Sequence, residues 1–248
     1  MQAFYGCRGK ISRQLYNRKQ LSTLIFDRGL KKRQLQSALK ISSPHEKGYY
    51  DYLREESARR IVDRIEDITR PFPRALEIGS YNDILYKIIK SQESQFEGSA
   101  GGMGGIQKLV QCGIACRKES SMVHSGQEEN SLVTTDYIEC DEESLSLLSE
   151  EFDLVVSSMS LHWINDLPKI LNTIKSTLKP DGAFIGSMRG GNSLKELKHC
   201  FYLAELERRG GYSPHVSPFA LPSDIAGLMQ AAKFAMPTVD VDTITVSN

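Results

Sequence analysis

Residues 152–188 decide the fold. They read Phe152-Asp153-Leu154-Val155-Val156-Ser157-Ser158, then Met159-Ser160-Leu161-His162-Trp163-Ile164-Asn165-Asp166, a periodic stretch from Leu167 to Leu178, Lys179-Pro180-Asp181-Gly182, and Ala183-Phe184-Ile185-Gly186-Ser187-Met188. The opening run is apolar, of strand length and β-branched at its centre, as in a strand buried on both faces. Leu167, Ile170, Leu171, Ile174 and Leu178 recur at helical spacing and predict a helix with one core-facing stripe. Asp166 suits its N-cap, and Pro168 falls in the first turn, where a missing N–H costs nothing. Lys179-Pro180-Asp181-Gly182 predicts a turn, and Ala183–Met188 a second strand. Strand, crossover helix and strand form a βαβ unit, and hence a parallel sheet.

Upstream, Arg74–Gly79 reads as the first core strand, followed by Ser80-Tyr81-Asn82-Asp83 and a helix from Ile84 to Lys90. Ile106–Cys112 and Leu132–Ile138 supply two further strands, the latter followed by Cys140-Asp141-Glu142-Glu143. Between them, residues 97–105 are glycine-rich and read as a surface insertion. No Lys-Ser/Thr follows, as a phosphate-cradling loop requires. Residues 117–130 are polar and read as a loop or short helix. Residues 25–70 predict two helices that cap the sheet, broken at Ser42-Ser43-Pro44; the charges of the second lie mostly off its apolar stripe. Residues 1–24 hold five Arg or Lys and no acid, the composition of a mitochondrial presequence or of a basic tail.

Downstream of the βαβ unit, Gly190-Gly191 marks a turn, and Asn192 or Ser193 is placed to cap a helix over Leu194–Arg208. Gly210–Phe219 is an aromatic loop punctuated by prolines, in which Tyr212 and His215 are candidate contact residues. Pro222-Ser223-Asp224 opens a last helix, Ile225–Lys233, and the alternation over Val239–Val246 predicts a strand.

The 248 residues carry 31 basic and 31 acidic side chains, for zero formal net charge, so nothing in the overall charge points to nucleic acid. No apolar run reaches the 18 or so residues of a membrane span. The five cysteines are irregularly spaced. They read as free thiols, since no second pair completes a metal site with Cys112 and Cys116. His162 and Trp163 sit at the carboxyl end of a parallel strand, where open α/β sheets bind ligands. His162 reads either as a general base or as a buried ring packed on the chain's single tryptophan.

The run from Phe152 to Met188 resembles the late core of class I S-adenosylmethionine-dependent methyltransferases. Three more blocks narrow the likeness: Ile25-Phe26-Asp27-Arg28, Asp51-Tyr52-Leu53-Arg54-Glu55-Glu56, and Leu203 through Phe219. With them the chain resembles the mitochondrial complex I assembly factor family of arginine-hydroxylase type, itself related to malonyl-carrier-protein methyltransferases of biotin synthesis. The resemblance implies an α/β fold with a doubly wound, mostly parallel sheet of class I methyltransferase type and a helical N-terminal cap over 25–70. The methyltransferase-like domain would span 71–248, with family members continuing further. It implies the mitochondrial matrix, peripheral association with the inner membrane, a complex I subunit as client, and no metal. It places S-adenosylmethionine against Glu77, Gly79, Asp141, Glu142 and Ser157, and the client near Trp163, Tyr212 and His215, with His162 as catalytic candidate. The family's later glycine positions are here Tyr81 and Asp83, and its ribose-binding acid is Gly113. The expectation is therefore weak or absent cofactor binding, leaving three readings: an assembly factor that modifies its client, an inactive scaffold, or a methyltransferase of a small molecule or carrier protein.

Overall fold

The computed structural model describes residues 24–41, 44–92, 103–115, 132–145 and 151–245. The basic N-terminal stretch up to residue 23, most of the glycine-rich insertion, the 117–130 loop, Cys7 and Cys116 lie outside the described residues.

Five strands run parallel in one sheet: β1 (Arg74–Ile78), β2 (Lys108–Gly113), β3 (Thr134–Glu139), β4 (Phe152–Ser158) and β5 (Leu178–Ser187). Their spatial order is β3-β2-β1-β4-β5. The chain builds outward from β1 on one side, then returns to β4 on the other. The sheet therefore has its switch point between β1 and β4, where a crevice opens at the carboxyl ends. α1 (Arg28–Ile41) and α2 (Pro44–Glu66) precede the sheet, α3 (Ile84–Gln92) follows β1, α4 (Leu167–Thr177) links β4 to β5, and α5 (Lys195–Arg209) and α6 (Pro222–Ala231) follow.

The centre of the sheet is buried on both faces, which is why β1 and β4 read as continuous apolar runs. On one face Ala75, Leu109, Leu154 and Val156 pack against Ala58, Ile61, Val62 and Ile65 of α2 and Ile84, Leu85 and Ile89 of α3. On the other, Leu76, Ile78, Val110 and Val155 meet Ile170, Leu171 and Ile174 of α4. Each large side chain so buried contributes roughly 1.5–3 kcal/mol. A knot of hydroxyls keys α2 to the sheet. Ser57 Oγ lies 2.6 Å from Ser187 Oγ and 3.3 Å from Ser158 Oγ.

The βαβ unit forms as its sequence predicts, with Asp166 accepting a hydrogen bond from the Lys169 amide at 3.0 Å. Four local expectations are corrected. Pro180-Asp181-Gly182 lies inside β5, not in a turn before it; Asp181 takes φ 65°, and the ladder jumps from Phe152–Leu178 to Leu154–Ala183. The chain thus absorbs the extra residues as a bulge. Leu194, with φ 57°, caps α5 in place of Asn192 or Ser193, and no side chain caps the helix. Residues 239–245 form no strand; Asp240 and Asp242 instead pair with Arg64 and Arg60 of α2. Finally, Cys112 and Cys140 are joined in a disulfide, where free thiols are expected. The parallel register of β2 with β3 brings the two strand ends side by side. Cys200 is free and exposed.

Candidate functional site

The crevice at the carboxyl ends of β1 and β4 is roofed by α1. It is bounded by Arg28, Lys31 and Leu35 from α1, Arg54 from α2, Gly79 to Tyr81 after β1, and Glu142, Met159, Ser160 and Trp163. Polar bonds hold the roof on. Phe26 and Asn165 exchange two hydrogen bonds: the Phe26 amide donates to Asn165 Oδ1 at 2.7 Å, and Asn165 Nδ2 donates to the Phe26 carbonyl at 3.0 Å. The Phe26 ring meets Trp163 edge-on at 5.4 Å. Arg28 reaches in further. It donates to Asp141 Oδ1 at 2.8 Å, to Glu142 Oε2, and to the Trp163 carbonyl at 3.0 Å. With a further bond from its Nε to Asp141 Oδ1 at 3.1 Å, these make Arg28 a latch between the cap and the ends of β3 and β4.

Glu77 is buried, and Gln111 Nε2 donates to its Oε2 at 2.8 Å and to Ser80 Oγ at 3.0 Å. Burial pushes its carboxyl up to about 7 against the pull of those hydrogen bonds. Gly79 has φ 78°, and a Cβ there would lie 1.9 Å from Ser160 Oγ, so only glycine fits. The turn beyond it places Asn82 and Asp83 at φ 56° and 54°, leaving Tyr81 out of the left-handed region. The left-handed positions of the turn thus fall on residue types that tolerate them. Gly113 is sealed: a Cβ would meet the Ser80 carbonyl at 2.7 Å and the Tyr137 hydroxyl at 2.9 Å. Asp141 caps the Glu142–Ser144 turn by accepting from the Glu143 amide at 3.1 Å. Ser157 is fully buried and donates to the Ile78 carbonyl at 3.1 Å.

His162 packs on Trp163 at 5.2 Å and on Phe219 at 6.0 Å between ring centres. Burial, with Arg189, Arg54 and Lys31 adding repulsion, lowers it to about 3, so the ring is neutral near physiological pH. Its Nδ1 has no hydrogen-bond partner among the described residues. Tyr212 and His215 do not line the crevice. Tyr212 meets Tyr202 edge-on at 5.5 Å between ring centres. His215 Nε2 lies 2.7 Å from Glu205 Oε1 and 3.5 Å from Ser213 Oγ. Both partners meet the same ring nitrogen, so the set fastens a loop and cannot relay a proton as a serine–histidine–acid triad does.

Sequence reasoning on single motifs missed Arg28, Lys31 and Arg54, which line the crevice, and Phe219, which packs on His162. The signal for Arg28 and Arg54 lay in the Ile25–Arg28 and Asp51–Glu56 blocks, used there only to narrow the family resemblance.

S-adenosylmethionine needs open carboxylates for its hydroxyls and amino groups and a glycine turn for close approach. Here Asp141 and Glu142 are engaged by Arg28, Ser157 is spent inside the sheet, and Gly113 is sealed by Ser80 and Tyr137. The residues as arranged do not fit the cofactor. Among the described residues, no cluster of His, Cys, Asp or Glu is placed to hold a metal, and no helix is long and apolar enough to cross a membrane.

A methyltransferase-domain family model matches residues 50–238. Human mitochondrial arginine-hydroxylase NDUFAF5 is 42% identical over 223 residues, covering 90% of this chain and 59% of the relative. The Dictyostelium discoideum protein of the same name is 33% identical, covering 90% and 51%. The chain thus spans between half and three-fifths of these relatives. A malonyl-[acyl-carrier protein] O-methyltransferase of Nitrosospira multiformis is 36% identical over 45% of this chain and 34% of its own. Among solved structures, a chain from the Haloferax volcanii complex with the Trm112 methyltransferase activator aligns with TM-score 0.53 at 12% identity, covering 80% of this chain and 75% of that one. The sheet order, the crevice at its switch point and the family match over most of its length agree, and the chain belongs to the methyltransferase-domain family.

Proposed function

We propose that this protein serves mitochondrial complex I assembly, engaging a complex I subunit in the matrix, at the inner face of the inner membrane, through a methyltransferase-fold scaffold that does not use S-adenosylmethionine. Likeness to the NDUFAF5 proteins over 90% of the chain supports the assembly reading. The chemistry rests on one observation: Arg28 occupies both carboxylates, Asp141 and Glu142, that a nucleoside cofactor would need. In this reading the cap is a fixed part of the client-binding body. His162, neutral and packed on Trp163 and Phe219, shapes the crevice wall and carries no charge near neutrality.

A second reading follows from the latch being polar. Arg28 swinging away from Glu142 would return the crevice to cofactor-dependent group transfer, as in the relatives named methyltransferases. Calorimetric titration of the whole chain with S-adenosylmethionine separates the two. No saturable heat from folded protein is expected; a micromolar Kd overturns the scaffold reading. The client is tested separately, by expressing the chain in human cells lacking NDUFAF5. Restored complex I supports the assignment, and unrestored complex I with the chain present in mitochondria removes it.

A further inference from the structure

The disulfide lies at the edge of the crevice. Cys112 is the penultimate residue of β2, Cys140 directly follows β3, and the two are 28 residues apart in sequence. Both carry parts of the site on their own backbone. The amides of Gly79 and Ser80 donate to the Cys112 carbonyl at 2.8 and 2.9 Å, so Cys112 holds the turn after β1. The Cys140 amide donates to the Gly113 carbonyl at 3.0 Å. The acids that fasten the cap follow Cys140 at once. Asp141 and Glu142 hold Arg28. Glu143 accepts from the Asn165 amide at 2.6 Å and from its side chain at 3.0 Å, and Asn165 in turn bonds Phe26. The disulfide thus joins the floor of the crevice to the turn that carries its roof.

The fold itself does not need this bond. Cys112 is wholly buried, in the apolar cluster that holds Leu76, Ile78, Val110 and Val155. A thiol is a small, weakly polar group that such surroundings accept. The parallel ladder from Lys108–Thr134 to Gly113–Glu139 keeps β2 beside β3 with or without the sulfur bridge. Reduction therefore removes a tie at the strand ends and leaves the sheet. Cys140 is only half-buried, so a thiolate from solvent reaches its sulfur before that of Cys112. Where thiols are kept reduced, as the matrix location proposed above entails, a protein disulfide is as a rule transient or redox-sensing.

We propose that the Cys112–Cys140 disulfide is a redox switch that sets how firmly the α1 cap closes the crevice, with cellular thiols as its reductant. One thiolate attacks Cys140 Sγ, forms a mixed disulfide and releases the Cys112 thiolate, which takes a proton. A second attacks the reductant's sulfur in the mixed disulfide and releases the Cys140 thiolate, which is protonated in turn. The chain gains two electrons and two protons, and the two thiols leave as one disulfide. The acid-bearing turn is then held to β2 by backbone bonds alone, and Arg28 and Asn165 grip a turn that moves. Oxidation restores the brace. The switch rests on the proposed function only for its compartment, and it stands or falls without the assembly role.

The test equilibrates the whole purified chain in graded mixtures of reduced and oxidised glutathione, then alkylates it and maps the peptides by mass spectrometry. Cys112 and Cys140 are expected to be joined in the oxidised buffer and both alkylated in the reduced one, reversibly. A bond that survives reduced glutathione is a fixed brace and overturns the switch. So does a pair that never joins in the oxidised buffer, or that joins another cysteine instead. Amide exchange is then compared between the two forms. Reduction should quicken it about tenfold or more across Arg28–Ile41 and Gly79–Asn82, and leave Leu76–Ile78 and Leu154–Val156 as they were. Equal loosening of cap and strands, or outright unfolding, marks a merely structural bond and overturns the proposal; so does no change in either. Cys112→Ala combined with Cys140→Ala should show the loose cap in both buffers, and Cys200→Ser should respond as the parent does. If the double variant fails to fold, the reduced parent supplies the same comparison. Failure of the switch leaves the assembly reading standing, since restoration of complex I tests that separately.

Discussion

Arg28 shows what one side chain can settle. Its own side chain is 13% exposed and that of Glu142 5%, so removing the guanidinium strands a buried carboxylate. Arg28→Ala should cost about 3–5 kcal/mol, read as a lowered urea midpoint, with Arg28→Lys recovering only part because it cannot reach three acceptors at once. Glu77 makes a pH prediction. Its carboxyl titrates at about 7 in the folded chain against an ordinary 4.5, so the folded state binds the extra proton between those values. Glu77 thereby contributes stability that is fully present below pH 4.5 and lost as pH rises through 7. The loss amounts to about 3 kcal/mol. Glu77→Gln keeps the shape and cannot ionise. Its stability relative to the parent should climb between about pH 5 and pH 7.5, measured by denaturant melts at both. His162 slopes the other way at lower pH, since its folded value is depressed to about 3 from 6.5, but it is common to both proteins and cancels in the difference.

Among the elements, α1 is the separable one. Leu30 is 45% exposed, and the helix is fastened by Arg28, by Asn165 and by a Lys32–Glu139 pair of 2.6 Å. Asn165→Ala removes both bonds to Phe26. Amide exchange across Arg28–Ile41 should quicken roughly tenfold or more while the global melt shifts by less than about 1.5 kcal/mol; unchanged exchange would mean the cap is held some other way. This scale also shows what the sequence discloses. The βαβ unit was legible because Leu154–Val156 had to be apolar on both faces and Asp166 and Pro168 have single-residue reasons to start a helix. The bulge at Asp181 and the left-handed cap at Leu194 were not. Each is a residue in a left-handed conformation that local preference argues against. Nor, over 239–245, was the absence of the strand expected across Val239–Val246 legible; Asp240 and Asp242 there pair with arginines on α2. The site was half legible. Gly79 and Glu142 line the crevice, but Asp141 and Glu142 are held by Arg28, more than a hundred residues earlier in the chain.

For the whole molecule, the sheet order sets a gradient. β1 lies at the centre between β2 and β4, whereas β3 is an edge strand whose residues are mostly exposed or half-buried. Native-state exchange should be slowest in Leu76–Ile78 and Leu154–Val156 and fastest among strands in Thr134–Glu139. Equal protection across all five would mean that an unseen layer covers β3. The hydroxyls of Ser57, Ser158 and Ser187, which join α2 to β4 and β5, give the assembly something apolar contacts cannot. Oily surfaces slide past one another at little cost, but a directional contact has one correct alignment. The three serines therefore work like the teeth of a key. Altering one jams the fit, whereas recutting all three together as small apolar residues should turn smoothly, and the positions are best inherited, or engineered, as a single unit.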